Sequence, residues 1–278
     1  MMELPEALTL ARQVEETVRG ARILAVSIAE KRPRFLFTNE DLGAYPQRLI
    51  GRRVLHVGAR GKWILAALDS GGTLAIGELF GRLRLVSSAE ALPKTHHVVI
   101  TFEDVGHLCV TIQAWGGVLA LKPSELAEHP WLGRQGMSVL DPAFTASRFS
   151  ELLGSDSAWA RKPIKAFLVH EGNVRGIGNG YLQDILHRAK LSPKRKLSTL
   201  DRRERDRLHR AILDTMSSAS ERGGRDTEKD LFGAPGRYVP ILDRRGAGTP
   251  CPDCGVLIEK ISFLGGSCYV CPQCQPAP

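Results

Sequence analysis

Val174-Arg-Gly-Ile-Gly-Asn-Gly-Tyr181 separates two stretches of helical periodicity, residues 163–170 and 179–189. Gly176 and Gly178 leave room for backbone N–H groups to approach an anion at the N-terminus of the second helix. The residues argue against a dinucleotide-binding turn, because no βαβ unit precedes it and there is no spaced series of three glycines. Between helices, the turn predicts a helix-two-turn-helix element that grips a nucleic-acid phosphate. Asn179 caps the second helix in this reading and presents its amide. A plain tight turn with an Asn cap is the other reading of the same residues.

Working outward, helical spacing recurs at 144–153 and 200–221. Arg188 to Arg210 holds ten Lys and Arg against Asp201, Glu204 and Asp206, a local +7 in a chain whose net charge is +8. A basic stripe suits a polyanion such as nucleic acid. A solvated helix face stands beside that reading, since Asp201 to Arg210 mixes signs. Residues 223–250 are rich in Gly, Asp, Arg and Pro and read as a long loop. Within it, Gly223 to Gly233 is either a lid or a solvated segment.

Beyond the loop come Cys251-Pro-Asp-Cys254 and Cys271-Pro-Gln-Cys274, with sixteen residues between the pairs. Each pair sets two thiolates on a tight turn, and two such turns on one hairpin make a tetrahedral cage for Zn²⁺. Gly255 and Gly265-Gly266 suit the turns. All four ligands are protein sulfur, so the zinc is structural and has no open catalytic position. Cys109 and Cys268 fall outside the pattern and read as buried thiols.

Toward the N-terminus the signal changes. Residues 3–20 read as a helix, with Pro5 in its first turn, Leu10, Val14 and Val18 at intervals of four, and Gly20 as its stop. From Ile23 to about Leu121 short strands alternate with hairpin punctuation such as Asp69-Ser-Gly-Gly72, the pattern of a sandwich or barrel. Residues 122–142 carry Pro123, Pro130, Gly133, Gly136 and Pro142 and read as an interdomain connection. His96-His97 has no partner at metal spacing and reads as a surface pair at the start of a strand. The 278 residues are 43% hydrophobic and 24% charged, enough for a buried core and against disorder. No apolar run spans a bilayer. Glu3 and Glu6 near the start argue against an export signal, so the expected location is cytosolic.

In order, Glu3-Leu-Pro-Glu6, a sandwich, Gly61-Lys62, Leu132-Gly133 with Asp141-Pro142, Lys165 before the Asn179 turn and the four-cysteine hairpin resemble the formamidopyrimidine-DNA glycosylase/endonuclease VIII family. The resemblance covers essentially the whole chain. It implies an α+β multidomain protein: helix and β-sandwich (1–121), linker (122–142), helix-two-turn-helix domain (143–245) and zinc hairpin (246–278). It further implies DNA repair by base excision, with damaged DNA, duplex or single-stranded, as partner. The chain would act as a monomer, away from membranes and on the nucleoid when bound.

Position by position, the resemblance gives Glu3 as the carboxylate at the sugar and Glu6 as a second N-terminal carboxylate. Glu6 also complements the positive end of its own helix. Lys62 is the hairpin lysine, and Asn179 and Lys165 contact the DNA backbone. Cys251, Cys254, Cys271 and Cys274 are the zinc ligands. Departures accompany the matches. Met2 stands where the family has its nucleophilic proline, which puts the AP-lyase step in question. Bulky Met2 also disfavours removal of Met1; a translation start at Met2 would instead set a primary amine beside Glu3, keep a Schiff base open and make Met2 a catalytic candidate. Thr111-Ile-Gln-Ala-Trp-Gly116 replaces the family's Asp-Pro-Arg-Arg-Phe-Gly, leaving Trp115 as the wedge aromatic and no void-filling arginine. Leu79 stands near the intercalating methionine. Gly266 takes the place of an arginine at the hairpin tip, with Lys260 as a partial substitute. A non-catalytic lesion- or DNA-structure-binding protein is the alternative function at this point.

Overall fold

Helix α1 (Leu4–Val18) starts where Pro5 has no N–H to lose and where Glu3 and Glu6 form a capping box, Glu3 N–H donating to Glu6 Oε2 at 2.9 Å. The computed structural model describes residues 1–31, 33–133, 136–154 and 158–278. It divides into two units, Met1–Arg134 with Ser220–Arg237, and Gln135–Ala219 with Tyr238–Pro278.

In the first unit α1 is followed by β1 (Ile23–Ile28), β2 (Phe35–Phe37), α2 (Tyr45–Leu49), β3 (Val54–Arg60), β4 (Trp63–Leu68), β5 (Thr73–Gly77), β6 (Gly81–Val86), β7 (Val98–Phe102), β8 (Gly106–Ile112), β9 (Trp115–Leu121) and α3 (Pro123–Glu128). Two sheets result, β1-β7-β8-β6 and β2-β9-β5-β4-β3. All pairs are antiparallel except β2 with β9. The period-2 alternation divides each strand between two faces. Ile64, Leu74, Ile76, Val118 and Ala120 join Ile100, Leu108 and Val110 of the other sheet in one core, which Ala7, Leu10, Val14 and Val18 of α1 also enter.

The opposite face of the five-stranded sheet is covered as well, by Trp63, Ala75, Leu119 and Leu121 packed with Leu132. Gly77 and Gly117 pair across β5 and β9 beneath the Trp63 ring. A Cβ at either would lie 2.3 Å from that ring, so both must be glycine. The stretch 122–142, expected as a connection, therefore contributes a helix and a buried leucine to this unit; residues 134 and 135 lie outside the described residues. His97 also differs from expectation. It is buried rather than on the surface, because its Nδ1 accepts the Ile112 N–H at 2.9 Å, and burial lowers its pKa.

Residues Ser220–Arg237 belong to this first unit, not to the helical part in which the sequence reading places them. Leu231 is fully buried in the sandwich core, its N–H donating to Gln13 Oε1 at 2.9 Å and its carbonyl accepting from Leu85 N–H at 3.2 Å.

The second unit holds β10 (Met137–Ser138), α4 (Ala146–Leu152), α5 (Ile164–Leu168), β11 (Val174–Arg175), α6 (Asn179–Ala189), α7 (Arg202–Glu221), β12 (Glu259–Phe263) and β13 (Gly266–Val270), α7 running on into the first unit. Phe144, Phe149 and Phe167 stack edge to face in its helical core. Buried Asp184 on α6 accepts from the Tyr238 hydroxyl at 2.7 Å and from the N–H groups of Ile241 and Leu242 at 2.9 Å. These bonds fasten residues 238–242 to α6. Burial raises the Asp184 pKa despite the three bonds, which act in the opposite direction. The β12–β13 hairpin turns through Leu264 and Gly265, both at positive φ. Among the described residues, no helix is long and apolar enough to cross a membrane.

Candidate functional site

Glu3 is fully buried at the N-cap of α1, and Glu6, one turn on, is nearly so. A buried carboxylate needs a countercharge or hydrogen-bond donors. Arg225, itself 7% exposed, supplies the countercharge. Its Nη1 lies 3.4 Å from Glu3 Oε1 and its Nε 3.2 Å from Glu6 Oε1. The Arg225 backbone N–H also donates to Glu6 Oε1 at 3.0 Å, and its Nη2 reaches the Met1 carbonyl and approaches Glu228 at 3.8 Å. Gly224, at φ +92°, allows this approach: a Cβ there would lie 2.9 Å from Glu6 Cγ. Glu3 and Glu6 are thus brought together as the sequence implies, with a third member that the sequence reading missed. The available signal was a glycine pair one residue beyond a long helix, followed by an arginine.

Lys62 sits in the two-residue turn between Arg60 and Trp63, beside Gly61 at φ +58°. It is 5% exposed, and its Nζ lies 3.7 Å from Glu78 Oε1. Met2 directly precedes Glu3. Its side chain is in the hydrophobic core, and its nitrogen is a peptide N–H that donates to the Leu79 carbonyl at 2.9 Å.

The wedge residues also need correction in part. Trp115 opens β9, half-buried, and its ring packs 5.0 Å from that of Phe80, which is 37% exposed. Leu79 is 2% exposed within the sandwich core. Phe80, not Leu79, is the apolar side chain presented at this turn.

In the second unit the N-cap of α6 is Gly178, so Asn179 is the first helical residue and not the cap. Its Nδ2 donates to the Ser267 carbonyl at 2.9 Å, while its buried Oδ1 has no hydrogen-bond partner among the described residues. Lys165 is 3% exposed and donates to the Phe263 carbonyl at 2.7 Å and to Cys268 Sγ at 3.4 Å. Both side chains therefore hold the backbone of the β12–β13 hairpin, and buried Lys165 is not presented to a phosphate. Gly266 lies against them: a Cβ there would sit 3.3 Å from Lys165 Nζ. Lys260 is exposed on β12.

The sulfur atoms of Cys251, Cys254, Cys271 and Cys274 lie within 4.8 Å of one another. Cys251–Cys274 are 4.0 Å apart and Cys254–Cys271 3.3 Å. Four thiolates around a zinc at about 2.3 Å sit about 3.8 Å apart, so the donor set and its spacing fit a tetrahedral ion. Gly255 N–H donates to the Cys251 carbonyl at 2.9 Å and Gln275 N–H to the Cys271 carbonyl at 2.8 Å, closing both turns. Burial and the neighbouring sulfurs push the Cys274 thiol up to about 12. His187, whose pKa is lowered chiefly by burial, places Nε2 3.4 Å from Cys251 Sγ. Cys109 and Cys268 are buried free thiols, as expected.

Comparison with known proteins agrees with this arrangement. The family model described as the formamidopyrimidine-DNA glycosylase N-terminal domain matches residues 1–113, and that described as the formamidopyrimidine-DNA glycosylase H2TH domain matches residues 136–230. A formamidopyrimidine-DNA glycosylase of Desulforamulus reducens is 32% identical over 100% of both chains, and one of Bordetella pertussis is 33% identical over 99% of both. Among solved structures, the MutM (Fpg) protein from Thermus thermophilus is 28% identical, with a TM-score of 0.83 over 98% of both chains. With the domain models together matching most of its length, the chain belongs to the formamidopyrimidine-DNA glycosylase family.

Proposed function

We propose that this chain is a base-excision-repair DNA glycosylase that extrudes a damaged base and hydrolyses its N-glycosidic bond through Glu3. The observation that carries the reading is the fully buried Glu3 carboxylate, paired with Arg225 and Glu6 at the start of α1. Departure of a base leaves oxocarbenium-like charge on the sugar, which an adjacent carboxylate stabilises or, as a base, meets with an activated water. Fold neighbours from Lactococcus lactis were solved with Fapy-dG and abasic-site DNA bound, and damaged DNA is the partner assigned here.

Lys62 supplies positive charge beside the reacting sugar and its phosphate. Extrusion costs a few kcal/mol, and the Trp115–Phe80 pair is suited to fill the vacated stack. Cys251, Cys254, Cys271 and Cys274 would hold one structural Zn²⁺, which cross-links the two turns. Asn179 and Lys165 brace the hairpin, and Lys260 offers an exposed charge to the DNA backbone. With Met1 attached, the Met2 nitrogen is an amide and the chemistry proposed is hydrolysis; a free Met2 amine beside Glu3 would add Schiff-base formation and β-elimination.

The test is a panel of oxidised, alkylated and crosslinked bases in duplex and single-stranded DNA, with borohydride trapping on an abasic site. Base release without a trapped adduct supports the reading. A trapped α-amine adduct replaces hydrolysis by lyase chemistry. Tight binding with no release from any lesion makes the non-catalytic binder the better account.

A further inference from the structure

We propose that Leu264, at the tip of the β12–β13 hairpin, enters the minor groove of paired DNA and makes the chain bind duplex in preference to single strand. The inference deepens the proposed function and rests on damaged DNA being the partner. Phe263 pairs with Gly266, so Leu264 and Gly265 alone turn the hairpin, at φ +47° and +72°. A two-residue turn of this kind favours Asn-Gly, because an L side chain at positive φ crowds the following carbonyl. Among the described residues, four positions other than glycine have positive φ: Glu78, Asp104, Lys190 and Leu264. Leu264 is the apolar one, and it is 55% exposed. Val239 and Leu257 are as exposed without that strain. Leucine at the tip therefore costs stability twice, in backbone conformation and in apolar surface left in water, and Asn would relieve both.

A Cβ on Gly265 would find nothing within 4 Å, so the turn stands clear of the described chain. Below it the hairpin is held by the Asn179 and Lys165 bonds to the Ser267 and Phe263 carbonyls, and by the Tyr269 N–H, which donates to Gln183 Oε1 at 3.1 Å. These bonds place the tip beside the N-terminus of α6, the end of a helix that attracts phosphate. Exposed Lys194 adds a cation, its Nζ 5.9 Å from the centre of the Phe263 ring. An apolar finger among phosphate-binding groups complements a nucleic-acid groove, where sugars and base edges lie between two rows of phosphates. The minor groove, about 6 Å wide, takes single apolar side chains such as leucine as wedges. A single strand has no groove, and leucine, unlike an aromatic ring, has no π-face on which to stack a free base. Neither turn residue carries a charge, so what the tip contributes is apolar packing.

The test is equilibrium binding of wild type, Leu264→Asn and Leu264→Met, all purified without chelators, to a duplex carrying a tetrahydrofuran abasic analogue and to the same lesion strand alone. Leu264→Asn is expected to weaken duplex binding by about tenfold, the loss of one buried leucine contact, and single-strand binding by less than about twofold. Its Tm should equal or exceed that of wild type and its zinc content should be unchanged, since Asn-Gly suits the turn. Leu264→Met keeps an apolar side chain and should bind duplex within about twofold of wild type. Unchanged duplex affinity in Leu264→Asn overturns the proposal, as does an equal loss on duplex and single strand. Lost zinc or a lower Tm in Leu264→Asn also overturns it, because the residue then serves the fold of the hairpin. Binding to the abasic analogue needs no base release, so failure of the glycosylase reading shows separately, as an absence of excision by a wild type that still prefers duplex through Leu264.

Discussion

Trp115 and Leu79 are both apolar and close together, but their exposure separates their roles. Trp115 is half-buried beside exposed Phe80, whereas Leu79 is enclosed in the sandwich. Aromatic stacking on bases is worth about 1–3 kcal/mol, so Trp115→Ala should weaken lesion binding by that amount and leave Tm nearly unchanged. Leu79→Ala should instead cost about 2–5 kcal/mol of stability, as a cavity in a packed core does. Binding assays and melting curves on the two variants check both, and a large Tm loss with unchanged affinity in Trp115→Ala would place that ring in the core. At this scale the sequence shows Glu3, Glu6, Lys62 and Asn179, because each lies in a short local motif. Arg225 was hidden: 219 residues separate it from Glu6, and only folding brings their charges together. The same holds for Lys165, whose family role as a DNA contact gives way to a buried bond with Phe263.

Among the elements, the zinc hairpin depends most on its ligands. Its own apolar cluster contains Leu242, Ile258 and the cysteines with a few partly buried neighbours, too little core to fold unaided. Cys254→Ser leaves three ligands and should abolish zinc retention and DNA binding while the first unit melts as before. Metal analysis, binding assays and calorimetry read the three effects, and protein purified without chelators yet free of zinc would contradict the site. Element boundaries were legible where one signal dominated. The spacing of α1 is an example. β6 carries a weaker signal, because Gly81 opens it and exposed Arg84 breaks up its apolar pattern. The segment 223–237 looks like a solvated loop by composition, but Leu231 anchors it in the core, a contact that sequence periodicity does not report.

Across the whole molecule, the charge of +8 should make binding to DNA salt-dependent through counterion release. The basic stretch 188–210 is less uniform than its composition implies. Arg195 is bonded to Thr199 and Glu204, whereas Lys194 and Lys196 are exposed. A Lys194→Ala/Lys196→Ala variant should therefore reduce the slope of log K against log salt by about two, roughly one per lost phosphate contact. An unchanged slope would remove this stretch from the interface. The two-part architecture was legible from the switch between strand and helix periods, while the return of Ser220–Arg237 to the first unit was not, because long-range packing overrides local order. The glycosylase reading itself is tested most directly by single-turnover excision and equilibrium binding on the same lesion duplex, comparing wild type with Glu3→Gln. The substitution keeps the shape and removes the charge. Binding should persist while base release falls by about two orders of magnitude or more. Excision that survives Glu3→Gln at the wild-type rate would contradict the account.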